Sequence, residues 1–252
     1  MFSGVGVALL TMFDEDGAVD VPATVGHAKR LVDLGVSAVL VAGTTGEAET
    51  LEDAERAELI GAVAAGVGVP VIAGASGAWG RAAAARVSVA MGAGANAVLV
   101  HPARGVELRS YFAAVAEAAG GPDRVFGYHN PGPLGVPGIP VETLPELPIG
   151  ALKDSTGDPD RLLAELTTWG GRTYVGSSAV LSLAGPLGAA GALLALANAE
   201  PQACVRAFGG DGAAQLGLAE LHLRVRRGGL GVLKDAAAER FGVSRVRRLA
   251  LH

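Results

Sequence analysis

Cysteine is all but missing from this chain. Cys204 stands alone, so neither a disulfide framework nor a cysteine-ligated zinc site can be built. The five histidines (His27, His101, His129, His222 and His252) fall in no HxxxH or HExxH spacing, and a protein metal site is not expected. There is no basic block, and the net charge is −5, which argues against a nucleic-acid partner. The N-terminus lacks a basic flank and a long apolar core, so no signal peptide is expected and the chain is assigned to the cytoplasm. Charge is absent from residues 173–199, a span long enough to cross a bilayer. Gly176, Gly185, Pro186, Gly188 and Gly191 interrupt it, and it reads as strand, helix and strand in a soluble core, with no membrane partner.

Lysine is the next scarcity. Of 20 basic residues only Lys29, Lys153 and Lys234 are lysines. In a chain that favours arginine, a retained lysine points to chemistry closed to arginine. A guanidinium stays protonated, whereas a desolvated amine can shift its pKa and attack a carbonyl. Lys153 follows the apolar run 149–152 and precedes Asp154-Ser-Thr-Gly157. Alternation puts Ile149, Ala151 and Lys153 on one face of a buried strand. The competing explanation is a structural ion pair with Asp154 or another carboxylate.

Half of the 252 residues are hydrophobic, enough for a sizeable core. Apolar runs at 5–10, 38–41, 69–73, 97–100, 125–128, 150–153, 173–175 and 191–195 predict strands. Helical patterns at 21–34, 50–67, 81–91, 107–119, 141–147, 160–169, 179–187 and 201–208 alternate with them. Continuous apolar strands suit a parallel sheet covered by helices. Eight such units predict an α/β fold, a (β/α)8 TIM barrel over residues 1–208. A doubly wound open sheet is the alternative, but no Gly-rich dinucleotide fingerprint follows the first strand. Helical patterns at 213–226 and 232–241 predict a short C-terminal helical extension over 209–252.

Active sites of this barrel lie at the C-terminal strand ends. The polar residues expected there are Thr44, Thr45, Tyr128, Lys153, Ser177 and Ser178. In Gly43-Thr-Thr-Gly-Glu47 the glycines permit a tight turn, and exposed N–H groups with two hydroxyls suit a carboxylate. Glu47 reads as a structural acceptor. Tyr128 reads as a proton relay or as a core aromatic with a satisfied hydroxyl; His129 points the other way by alternation.

Four motifs then fall in order: Val41-Ala-Gly-Thr-Thr-Gly-Glu-Ala-Glu-Thr-Leu51, Tyr128-His-Asn-Pro131, Leu152-Lys-Asp-Ser-Thr-Gly157 and Gly188-Ala-Ala-Gly-Ala-Leu193, the last followed by Asn198 and Pro201. Together they resemble the dihydrodipicolinate synthase/N-acetylneuraminate lyase family of class I aldolases, over nearly the whole chain. The resemblance implies a lyase or aldolase that makes or breaks a C–C bond in a 2-oxo acid through a pyruvate enamine. It implies Lys153 as the imine-forming lysine, Tyr128 as the proton-shuttling phenol, and Thr44 and Thr45 as the carboxylate clamp. Leu193 would offer its backbone near the imine, with Ser177 as a further substrate contact. No cofactor is implied beyond the covalent imine. The implied partners are a small 2-oxo acid and an aldehyde, in a homo-oligomer, dimer or tetramer.

Two departures bear on the substrate. The synthases carry a tyrosine in the loop after strand four, where this chain reads His101-Pro-Ala-Arg-Gly105. They also carry an arginine shortly after the Tyr-x-x-x-Pro segment, where this chain reads Gly132-Pro-Leu-Gly135. Arg104 is a candidate replacement. Both departures point away from dihydrodipicolinate synthase itself, which stays an alternative beside a 2-oxo acid dehydratase or hydratase and a non-catalytic oxo-acid-binding barrel.

Overall fold

The structure, a computed structural model, describes residues 1–250. Eight strands close a parallel barrel in sequence order: β1 Gly4–Ala8, β2 Ala38–Val41, β3 Val71–Gly74, β4 Ala97–Val100, β5 Val125–His129, β6 Ala151–Asp154, β7 Arg172–Val175 and β8 Gly191–Leu194. β1 pairs with both β2 and β8, so no edge strand is left open. The expected (β/α)8 barrel is thus the observed fold. The helices outside it are α1 Val21–Asp33, α2 Asp53–Gly66, α3 Gly80–Gly92, α4 Leu108–Ala119, α5 Pro131–Leu134, α6 Pro159–Thr168, α7 Leu181–Ala184 and α8 Pro201–Phe208, followed by α9 Gly212–Gly217 and α10 Ala219–Phe241. No helix of the described residues is long and apolar enough to cross a membrane.

Period-2 alternation divides each strand between two cores. Outward residues such as Val39, Val98, Val125 and Leu152 join the helices in the larger core. Inward residues, among them Leu40, Ile72, Leu99, Phe126, Tyr174 and Leu193, fill the barrel. The lower end is plugged by aromatics. The Phe2 and Tyr174 rings lie 4.8 Å apart and those of Phe126 and Tyr174 4.9 Å apart, while Tyr174 Oη donates to the Phe2 carbonyl at 2.6 Å. Tyr174 fits because β8 presents Gly191 there: a Cβ would lie 2.9 Å from the ring. The upper, C-terminal end carries Tyr128 and Lys153, cross-strand neighbours in the β5–β6 register.

Several elements differ from expectation. The helix expected from residue 50 begins at Asp53, after a 3-10 turn Ala48–Thr50, because Glu52 and Glu55 form a capping box there. Ala54 is exposed, and Arg56 turns in to donate to the Ala48 carbonyl at 2.6 Å. The helix expected over 179–187 is the single turn α7, ended by Gly185 and Pro186. Gly185 packs so closely on α8 that a Cβ would sit 1.8 Å from the Phe208 carbonyl oxygen. Segment 141–147 is a 3-10 helix, Val141–Glu146, since Pro145 removes a donor. The break expected between two C-terminal helices is a kink within α10, at Gly229 (φ 67°, ψ −152°).

α10 fastens the extension to the β2 loop. Lys234, fully buried, donates to Glu47 Oε1 at 2.7 Å and to the Val246 carbonyl, and lies 4.7 Å from the centre of the Phe13 ring. Glu47 also accepts the Leu249 N–H at 3.0 Å, so its expected role as a structural acceptor is what the contacts show. Arg248 grips Glu55 with two hydrogen bonds of 2.7 Å. Removing one partner of a buried pair strands the other charge. Lys234→Met should therefore lower the unfolding free energy in urea by about 3–5 kcal/mol, and adding Glu47→Gln should recover part of it. A loss within experimental error in the single variant would show that the pair does not anchor the loop.

Candidate active site

Lys153 is 5% exposed, and its Nζ lies 4.7 Å from the centre of the Tyr128 ring. Among the described residues it has no hydrogen-bond partner and no carboxylate within 4.0 Å. Asp154, the nearest carboxylate in sequence, faces outward by alternation and is otherwise engaged. It accepts the Thr156 N–H at 2.9 Å and the Thr156 hydroxyl at 2.8 Å, with Arg161 Nε 3.6 Å away. The structural pairing weighed for Lys153 is therefore not the one the chain makes. Gly176, just past β7, gives the lysine room: a Cβ there would stand 2.9 Å from Lys153 Cε and 2.0 Å from Ser155 Oγ.

Tyr128 is buried, and its hydroxyl accepts the Asn130 side-chain N–H at 3.0 Å. Thr44 and Thr45 sit in a 3-10 turn, Thr44–Gly46, directly after β2. The turn is flanked by two non-glycine residues at positive φ, Ala42 (52°) and Glu47 (53°). Such conformations persist only where the surroundings over-determine them. Here Glu47 is held by Lys234 and Leu249, and Thr11 Oγ1 donates to the Gly46 carbonyl at 2.7 Å. β3 ends in Gly74 because a Cβ would lie 2.1 Å from the Ala42 carbonyl oxygen.

These parts converge on a cavity of about 250 Å3, whose wall includes Thr44, Thr45, Tyr128, Lys153, Ser177 and Ser178. Leu193 is the exception. It is fully buried one level down, packed over Gly6, and β8 reaches the cavity through Leu194 and the residues after it. Ser177 Oγ accepts the Ala179 N–H at 3.3 Å. A second cavity of about 400 Å3, bordered by Arg56, Ser76 and His101, shares Thr44 and Tyr128 with the first. Arg104 borders neither, and donates instead to the Gly135 carbonyl.

Sequence reasoning missed Ser155, Gly176, His222 and Arg226 on this wall. His222 and Arg226 come from α10, which the pattern places only as an extension; their i, i+4 spacing shows a shared helix face but not what the face covers. Ser178 Oγ and His222 Nδ1 are 2.8 Å apart. Burial, then the charge of Arg226, lowers the His222 pKa. Among the described residues no group of three or more His, Cys, Asp or Glu is arranged to hold a metal ion.

A buried ionisable network lies behind β6. Arg161 Nε is 2.9 Å from Glu165 Oε1, and burial, reinforced by Asp154, raises the Glu165 pKa to about 8. His129 faces this side, as alternation predicts, and its Nδ1 accepts the Ile139 N–H at 2.8 Å. Burial, then Arg161, lowers its pKa to about 4. A depressed histidine contributes stability that is complete above its unfolded pKa near 6.5 and is lost as pH falls through its folded value. By pH 5 the loss from His129 should be about 2 kcal/mol. His129→Asn, which keeps an acceptor for Ile139, should flatten that slope in urea titrations at pH 7 and pH 5; an unchanged slope would reject the assignment.

The sequence model of the dihydrodipicolinate synthetase family matches residues 1–222. An uncharacterized DapA-like lyase of Halobacterium salinarum is 33% identical over 214 residues, covering 80% of this chain and 69% of that protein. The 4-hydroxy-tetrahydrodipicolinate synthase of Corynebacterium aurimucosum is 37% identical over 215 residues, covering 80% and 70%. Among solved structures, YagE, a prophage protein of the dihydrodipicolinic acid synthase family from E. coli K12 in complex with pyruvate, superposes with a TM-score of 0.86 at 25% identity, covering 98% of this chain and 91% of that one.

Proposed function

This chain belongs to the dihydrodipicolinate synthetase family, and we propose that it is a Schiff-base aldolase or lyase, with Lys153 as the nucleophile and pyruvate as the enamine-forming half. The observation that carries the reading is a buried lysine amine, unpaired by any carboxylate among the described residues, held against a phenol at the C-terminal mouth of the barrel. Structural lysines in such places are paired; one left free beside a proton relay suits nucleophilic catalysis.

The neutral amine of Lys153 adds to the keto carbon of the 2-oxo acid, and loss of water gives an iminium. Cleavage of the C3–C4 bond sends its electron pair into the iminium, leaving an enamine and releasing the aldehyde. Protonation at C3 and hydrolysis then free pyruvate and the lysine; condensation runs the same steps backwards. Tyr128 carries protons between these oxygens and carbons, with its hydroxyl oriented by Asn130. Thr44 and Thr45 hold the carboxylate next to the keto carbon with hydroxyls and turn N–H groups. A firm Thr44–Gly46 turn matters because the clamp fixes the angle at which the ketone meets the amine.

A second reading, condensation of pyruvate with aspartate semialdehyde, is favoured by the 37% identical relative named 4-hydroxy-tetrahydrodipicolinate synthase. The loop Gly132-Pro-Leu-Gly135 weighs against it by lacking the expected arginine.

Treating the protein with pyruvate and borohydride should give a reduced covalent adduct on Lys153, located by peptide mass spectrometry. The adduct should be missing in Lys153→Arg. Tyr128→Phe should still bind pyruvate but turn over about 10²–10⁴-fold more slowly. A wild-type protein that forms no adduct would exclude this chemistry.

A further inference from the structure

We propose that Arg161 is a positioning residue for proton transfer: from behind β6 it fixes the loop that carries Asn130, and through Asn130 the hydroxyl of Tyr128. The proposal rests on the Schiff-base reading above and deepens it.

The loop leaves the barrel after β5 and stands at the mouth. Asn130 and Pro133 border the cavity shared with Lys153, and Leu134 borders the larger cavity beside it. The loop returns to the core at Ile139, which is fully buried. Both backbone polar groups of Ile139 are bonded from behind the sheet. Its N–H donates to His129 Nδ1 at 2.8 Å, and its carbonyl accepts from Arg161 Nη2 at 2.8 Å. Gly138 permits the first of these contacts, since a Cβ there would stand 2.4 Å from His129 Cε1.

The groups that hold the loop sit behind the reacting pair. In the β5–β6 register Tyr128 is opposite Lys153, and His129 is opposite Asp154. Alternation sends the first pair to the cavity and the second to the outer side, where α6 packs. There Arg161 Nε lies 2.9 Å from Glu165 Oε1 and 3.6 Å from Asp154 Oδ2. Among the described residues no other cation comes within 4.0 Å of either carboxylate. Neutralising these two buried acids needs only the Nε edge of the guanidinium. The Nη2 edge is spent on a loop carbonyl, which charge compensation does not require. A planar fork lets one side chain do both, whereas an ammonium donates from a single point.

The effect on chemistry runs through Asn130. Its amide donates to Tyr128 Oη at 3.0 Å. With one side of the phenol oxygen so occupied, the hydroxyl proton is left to point elsewhere. The loop is fixed by β5 at one end and by Arg161 and His129 at the other, so Asn130 keeps its place. A shift of about 1 Å in such a group can slow a reaction on the order of a hundredfold.

Exchange of the pyruvate methyl protons in D2O, followed by proton NMR, reads this step without an aldehyde. The C3 proton of the Lys153 iminium leaves by way of the Tyr128 oxygen, and its bonding electrons form the enamine. A deuteron returns by the same route before hydrolysis. Arg161→Met should still give the borohydride-trapped adduct but should exchange about tenfold or more slowly, and Asn130→Ala should do the same. Because both act through one bond, the double variant should fall within about twofold of the slower single variant. Arg161→Lys keeps the charge and guards against a folding defect. It should restore stability in urea while exchange stays slow, and amide hydrogen exchange in the peptide 130–140 should be faster than in the wild type. Wild-type proton exchange in Arg161→Lys, or losses that multiply in the double variant, overturn the proposal while leaving Lys153 chemistry standing. Failure to trap pyruvate on the wild type removes the Schiff-base reading and, with it, the step that Arg161 serves.

Discussion

An amine kept inside a barrel without a carboxylate to neutralise it is the constraint on which the rest of this molecule turns. Charges are normally excluded from such positions because water solvates them far better than a protein interior does. Lys153 is tolerated because its strand end opens on a cavity, because Gly176 leaves its methylenes room, and because the Tyr128 ring offers a polarisable face. The nearby carboxylates have been drawn elsewhere. Asp154 is turned to the outer side of β6 by strand alternation and occupied by Thr156, and Glu165 lies behind it with Arg161. A one-residue slip in β6 would exchange the faces of Lys153 and Asp154, so the register with β5 and β7 is as much a part of the site as the side chains.

The architecture was legible because parallel strands buried on both faces leave unmistakable apolar runs, and because glycine and proline punctuate them. The placing of Lys153 and Tyr128 side by side at the cavity was legible for a related reason: each closes an inward-facing run at the same end of the barrel. What was not legible has separate physical causes. Arg56, though charged, is buried because carbonyls at Ala48 and Gly74 receive its guanidinium. Leu193, expected to offer its backbone near the imine, has its side chain among the inward residues that fill the barrel. His222 and Arg226 carry no local signal at all. What makes them part of the cavity is how a helix more than sixty residues downstream of Lys153 folds back over the barrel mouth, and hydrophobic periodicity does not encode such docking.

Membership of the dihydrodipicolinate synthetase family fixes the scaffold and the broad chemistry, while the details of the mouth separate one member from another. Among the described residues the barrel's own loops bring no charged side chain to this cavity. Thr44, Thr45, Ser177 and Ser178 contribute hydroxyls, and the guanidinium is brought in from α10.

The kink at Gly229 divides the contacts made along α10. It splits one long helix into a stretch bearing His222 and Arg226, which border the cavity, and a stretch bearing Lys234 and Arg240, which bond to Glu47 and to the Ala199 carbonyl. One helix thereby carries both a wall of the cavity and the anchor of the C-terminal extension, on either side of a single glycine.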